Sequence, residues 1–153
     1  MSQAAHPRGV LIVDDDRHIR DILRELFLSS GYDARVAADG KEGLEVFDAD
    51  RPLLTVTDVH MPVMDGVEFL KKARALDPDA AFLVLTGVGD IQTAVESLKY
   101  GAYDFILKPV NMDQLLVAAE RALEHRELLI ERREYHTLLE RRVPDGRGAR
   151  PIA

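Results

Sequence analysis

The 153-residue chain contains no cysteine. That absence removes disulfides, thiolate zinc sites, iron–sulfur clusters and thiol nucleophiles together. It suits a reducing compartment, and a cytoplasmic location is the expectation. Long apolar runs are also missing: the longest span five or six residues, whereas a membrane-crossing helix needs about 20. The polar start, Met1–Gly9, is no secretory signal. Positive charge is in deficit, with a net charge of −7, which argues against nucleic acid as the main partner. No internal repeat, no P-loop and no helix-turn-helix pattern is present. Gly87-Val88-Gly89 lacks the third glycine of a dinucleotide loop and follows the fourth expected strand instead of the first.

What is present is an ordinary globular composition, 46% hydrophobic and 31% charged, long enough to bury a core without staples. The acidity is uneven. Residues 1–123 hold 21 acids and 13 bases, and residues 124–153 hold 6 and 7. The composition therefore changes near residue 124, where Arg, Glu and Leu become frequent. The stretch Pro144–Ala153, with Gly, Pro and Arg and little to bury, reads as a disordered tail.

Four short apolar runs, Val10–Val13, Leu53–Val56, Ala81–Leu85 and Phe105–Leu107, do not alternate. They fit strands buried on both faces of a parallel sheet, with a weaker edge strand at Ala34–Ala38. Helical spacing separates them. Ile19, Ile22, Leu23, Leu26 and Phe27 form one apolar face, with Asp16 as its N-cap. A short helix follows Asp39. Another is opened by Asp65 and stopped at Asp77-Pro78, and a third is capped by Asp90 and ends before Gly101. The last begins near residues 111–113. This β-α order, five times over, predicts a doubly wound α/β sandwich with its working site at the carboxyl ends of the strands.

Those ends carry Asp14-Asp15-Asp16, Thr57-Asp58, Thr86-Gly87 and Lys108-Pro109. Two carboxylates about 5 Å apart repel by about 3 kcal/mol at an effective dielectric of 20. A domain's net stability is only about 5–15 kcal/mol, so such a cluster must protonate, spread or bind a cation. Hard oxygen ligands select Mg2+, with Mn2+ able to substitute, over zinc. Such a site suits phosphoryl transfer, with a carboxylate as nucleophile and Lys108 and Thr86 on the phosphoryl oxygens. Each residue also has a plainer reading: an aspartate is a common helix cap, Lys108 an ordinary surface lysine, Thr86 a β-branched strand end. Joint placement on four strand ends favours chemistry.

Leu11-Ile12-Val13-Asp14-Asp15, Asp58-Val59-His60-Met61-Pro62-Val63-Met64-Asp65-Gly66, Thr86-Gly87 and Lys108-Pro109 together resemble the four motifs of the receiver domain of two-component response regulators, over about residues 8–122. The resemblance implies a flavodoxin-like sheet with strand order 2-1-3-4-5. It implies Asp58 as phosphoacceptor, Asp14 and Asp15 as Mg2+ ligands with Asp58, and the backbone carbonyl of His60 completing the set, its imidazole at the site entrance. It further implies Thr86 and Lys108 on the phosphoryl group, Gly87 leaving access, a cis Lys108–Pro109 bond, and Phe105 as the switch aromatic that turns inward with Thr86. The donor would be a sensor histidine kinase or phosphotransfer protein. The protein would act as a switch, catalysing only its own phosphorylation and dephosphorylation. A zinc role for His60 is disfavoured, since no H-x-x-x-H spacing exists. Two other functions compete with this reading. A magnesium-dependent phosphohydrolase also uses an Asp nucleophile on a doubly wound sheet, usually within Asp-x-Asp at the first strand; here the nucleophile candidate, Asp58, lies on the third strand with His60 two residues later, which disfavours it. A receiver that only binds partners would lack a key residue, and all are present.

Leu115–Arg142 contains no Gly or Pro, which predicts an extended C-terminal helix of near 30 residues. The expected organisation is a receiver domain at 8–122, a helical extension or linker at 123–143 and a tail at 144–153. Leu128, Tyr135, Leu138 and Arg142 approximate a heptad seam broken by Glu131. A dimerising signalling helix and a solvated helix are both open readings. Tyr100 and Tyr103 are candidate partner contacts. No DNA-binding output fits in Val143–Ala153, so the chain is a stand-alone receiver or part of a longer regulator.

Overall fold

The computed structural model describes residues 9–142. The expected tail at 144–153, and Val143, lie outside the described residues. Five strands and five helices alternate: β1 (Gly9–Val13), α1 (Arg17–Ser29), β2 (Asp33–Ala37), α2 (Gly40–Asp50), β3 (Leu54–Asp58), α3 (Gly66–Leu76), β4 (Ala81–Thr86), α4 (Ile91–Lys99), β5 (Asp104–Leu107) and α5 (Met112–Arg142), with a 3-10 turn at Val88–Asp90 before α4. The strands pair in parallel in the order β2-β1-β3-β4-β5. This is the expected doubly wound sheet, with strand limits shifted by one or two residues.

The non-alternating runs are explained by two apolar layers. Successive side chains of a strand point to opposite faces. Val10 and Ile12 join Leu23, Phe27, Leu83, Leu115 and Ala119 in the layer under α1 and α5. Leu11 and Val13 join Phe47, Phe69, Phe82, Val84 and Ala94 under α2, α3 and α4. Four phenylalanines, Phe27, Phe47, Phe69 and Phe82, are fully buried; each contributes about 1.5–3 kcal/mol against exposure.

Helix starts are set by side-chain caps. Asp16, Asp39 and Asp65 accept from first-turn amides of α1, α2 and α3, and Asn111 Oδ1 accepts from Gln114 N before α5. The expected cap at Asp90 is corrected: it stands before α4, but its side chain accepts nothing from that helix.

The last helix runs 31 residues without a break, so no change of element marks the boundary expected at 122/123. Leu128, Tyr135 and Leu138 are 60%, 65% and 56% exposed, and Arg133 Nη1 lies 2.6 Å from Asp79 Oδ1 on the α3–β4 loop.

Candidate functional site

Parallel pairing brings the carboxyl ends of β1, β3, β4 and β5 to one rim, and the chemistry-bearing residues stand there together. Asp14 follows β1, Asp58 closes β3, Thr86 closes β4 and Lys108 follows β5. Asp14 and Thr86 are fully buried and Asp58 nearly so, whereas Asp15 is exposed. Lys108 Nζ lies 3.3 Å from Asp14 Oδ2 and 3.1 Å from Asp58 Oδ2. Residues far apart in sequence thus share one ammonium, which the rule about strand ends had anticipated.

Hydrogen bonds that involve backbone groups anchor Asp14 and the start of α3. Asp14 N donates to Ala37 O, its Oδ1 accepts from Asp16 N at 2.9 Å, and its carbonyl accepts from Arg20 Nη1 at 2.8 Å. Arg20 was not foreseen, because nothing in its spacing distinguishes it from an ordinary helix-surface arginine. Behind Asp58, Gly66 N donates to Val59 O at 2.8 Å. A Cβ at Gly66 would run into the Asp58 carbonyl oxygen and Val59 Cα, so only glycine lets α3 start this close to β3. Gly87 is the opposite case: a Cβ there meets nothing within 4 Å, in keeping with an open approach.

The electrostatics are asymmetric. Burial raises the Asp14 carboxyl above its ordinary value, helped by the Asp58 charge and opposed by the Asp16 amide and Lys108. For Lys108 burial works the other way, favouring the neutral amine, but the Asp14 and Asp58 carboxylates outweigh it and hold the ammonium above its usual range. One ammonium facing two carboxylates gains more than either carboxylate gains from it.

Asp14, Asp15 and Asp58 each present a carboxylate oxygen within 4.8 Å of the others. Three carboxylates against one ammonium leave uncompensated negative charge, and the donors are all hard oxygens. That set fits a divalent cation of the magnesium class. His60 is not part of this grouping. Its imidazole, 71% exposed, places Nε2 at 2.8 Å from Asp90 Oδ1. Thr86 is at the rim, but its Oγ1 donates to Gly87 O at 3.1 Å. Phe105 stands apart from the cluster, half-buried against the α2-α3-α4 layer. The Lys108–Pro109 bond is cis, as expected.

The loop from Pro62 to Asp65 holds a feature that the motif did not reveal. Val63 has a φ of 72°, and Met64 N donates to Pro62 O at 2.8 Å. This is a three-residue turn, strained for a β-branched side chain. Tyr100 carries Lys71 Nζ 4.2 Å above its ring, and Tyr103 packs on the His125 ring at 5.4 Å.

The sequence matches the response regulator receiver domain family over residues 10–120. Over 125 residues it is 39% identical to the C4-dicarboxylate transport transcriptional regulatory protein DctD of Rhizobium meliloti (strain 1021), covering 82% of this chain and 27% of that protein. It is 38% identical over 142 residues to the nitrogen assimilation regulatory protein NtrX of Azorhizobium caulinodans, covering 92% and 31%. A response regulator receiver domain protein from Clostridium thermocellum superposes with a TM-score of 0.76 at 29% identity, covering 79% of this chain and 98% of that one. The chain thus spans less than a third of the length of these two regulators.

Proposed function

The chain belongs to the family of response regulator receiver domains, and on that premise we propose that Asp58 accepts a phosphoryl group and that this charge change switches the domain. One observation carries the reading: the Lys108 ammonium sits between Asp14 and Asp58, at 3.3 Å and 3.1 Å, on a rim where Thr86 supplies a hydroxyl.

The proposed donor is a phosphohistidine on a sensor histidine kinase or phosphotransfer protein. An Asp58 carboxylate oxygen attacks phosphorus in line, the bond from phosphorus to the donor nitrogen breaks, and its electron pair leaves with the imidazole. Lys108 pairs with a phosphoryl oxygen as the charge arrives. Asp14, Asp15, Asp58 and the His60 carbonyl are the groups proposed to hold Mg2+; bound there, the cation would offset charge on the phosphoryl oxygens. Gly87 leaves the approach open. Hydrolysis returns the carboxylate, and no other turnover is proposed.

The product adds negative charge and acceptor oxygens to the rim. The Thr86 hydroxyl now donates only to the adjacent Gly87 carbonyl, a local bond it can exchange for a phosphoryl oxygen. Movement of Thr86 opens space for Phe105, half-buried on the neighbouring strand, to turn inward. The two states differ by a local charge, and the partner that prefers one of them reads the switch.

The setting proposed is the cytoplasm. The relatives' names include transcriptional regulatory proteins, and an output carried elsewhere in a longer protein is the proposed target; no nucleic-acid contact is proposed for this chain. The exposed seam of Leu128, Tyr135 and Leu138 is proposed to pair with a second copy. The deciding experiment is intact mass after incubation with Mg2+ and acetyl phosphate. One phosphoryl group is expected on the wild type and none on Asp58→Asn. Equal gain in both would remove Asp58 from the role.

A further inference from the structure

Four helices of this chain start behind an aspartate, and three of those aspartates behave alike. Asp16, Asp39 and Asp65 have extended backbones, with ψ of 112°, 175° and 170°, and each carboxylate accepts from the first turn of its helix. Asp90 departs from the pattern. Its backbone is turned, at φ −117° and ψ 16°, where it closes the 3-10 turn Val88–Asp90, and its side chain caps nothing. Its Oδ1 lies 2.8 Å from His60 Nε2 instead.

The carboxylate therefore has two competing uses. Turned backbone and a His60 contact go together; extended backbone and a capped α4 are the arrangement that the other three aspartates show. One carboxylate cannot serve both, because a cap requires the extended geometry. His60 stands two residues after Asp58 and Asp90 four after Thr86, so the pair joins the two loops beside the carboxylate cluster.

We propose that Asp90 is a positioning residue that holds the His60 side chain, on the loop that follows Asp58, and turns to cap α4 when His60 is released. The placement of the His60 side chain is thereby linked to the first turn of α4. The link to phosphorylation rests on the function proposed above; the exchange of Asp90 between two partners does not.

The test is amide hydrogen exchange by NMR on the whole chain, without phosphorylation. His60→Ala removes the imidazole, keeps the backbone carbonyl, and falls on an exposed side chain, so folding is preserved. Exchange at Gln92 and Thr93 should slow roughly fivefold in His60→Ala, the scale of one side-chain cap. It should return to the wild-type rate or faster in His60→Ala/Asp90→Ala. Unchanged or faster exchange in His60→Ala, or slowing that survives the double substitution, would overturn the proposal. A second reading is the half-life of the phosphoryl group on Asp58. Asp90→Ala and His60→Ala should alter it in the same direction, and the double variant no further; additive changes count against positioning. A chain that takes no phosphoryl group fails the functional reading alone, and the exchange rates still decide this one.

Discussion

Arg133 and Asp79 are 54 positions apart in sequence, yet the Arg133 Nη1 to Asp79 Oδ1 distance is 2.6 Å. This contact ties the distal half of α5 to the loop between α3 and β4. Around it Leu128, Tyr135 and Leu138 stay largely exposed, so little apolar burial holds that half in place. Most of a helix's stability in a protein comes from tertiary packing of one face. This polar clasp therefore matters more here than a surface ion pair usually does.

Amides of residues 130–140 should accordingly exchange several-fold faster in Asp79→Asn and in Arg133→Ala, with no further gain in the double variant. The charge reversal Asp79→Arg/Arg133→Asp should restore protection. The hydrogen bond from Arg133 holds the Asp79 carboxyl below its ordinary value. A depressed carboxyl stabilises above its unfolded value, here 3.8, and loses that contribution as pH falls through the folded one. Protection in the wild type should thus persist at neutral pH and fade only in strong acid. Equal exchange in all variants would mean that the helix stands without the clasp.

Asp14→Asn should stabilise the fold while removing the proposed chemistry. The Asp14 carboxyl is buried and raised above 3.8, first by loss of solvent. Two carboxylates about 5 Å apart repel by about 3 kcal/mol at an effective dielectric of 20, and the weakened Lys108 contact returns part of that. A gain of roughly 1–2 kcal/mol at pH 7 is expected by urea unfolding. The sign with pH follows from the raised value. Folding favours protonated Asp14, so the wild type gains on the variant as pH falls through the folded value, and the gain is complete below 3.8. The advantage of Asn should therefore shrink in acid. An Asn variant less stable than the wild type at pH 7 would show that the Lys108 pair outweighs the repulsion.

The sheet, its two apolar layers and the placement of Asp14, Asp58, Thr86 and Lys108 were legible because each is local. Non-alternating runs such as Leu11–Val13 name a strand covered on both faces, and strand ends name the rim. What escaped depended on tertiary geometry. Asp90 carries the sequence signature of a cap, and only the approach of His60 diverts it. Arg20 bonds the Asp14 carbonyl from a helix position that no spacing singles out. Arg133 meets Asp79 only because α5 and the α3–β4 loop come together at the same end of the sheet. The heptad seam showed apolar side chains at Leu128, Tyr135 and Leu138, but periodicity says nothing of what covers them.

Val63→Gly should make the protein more stable. Val63 has a φ of 72°, a conformation that costs a β-branched residue about 1–3 kcal/mol. Its side chain is 76% exposed, so truncation forfeits little burial. Glycine adopts the same φ without strain but adds conformational freedom to the unfolded chain, a cost of about 0.4–1 kcal/mol. The difference leaves a net gain of about 0.5–2 kcal/mol, read as a higher midpoint in urea with an unchanged slope. The Met64 N to Pro62 O bond that defines the turn is backbone to backbone and survives the substitution. The loop lies between His60 and the Asp65 cap of α3, so strain released there reaches a segment next to Asp58. If the strained turn also positions His60, Val63→Gly will change the phosphoryl half-life as well as the midpoint. A higher midpoint with an unchanged half-life would confine the strain to the turn itself.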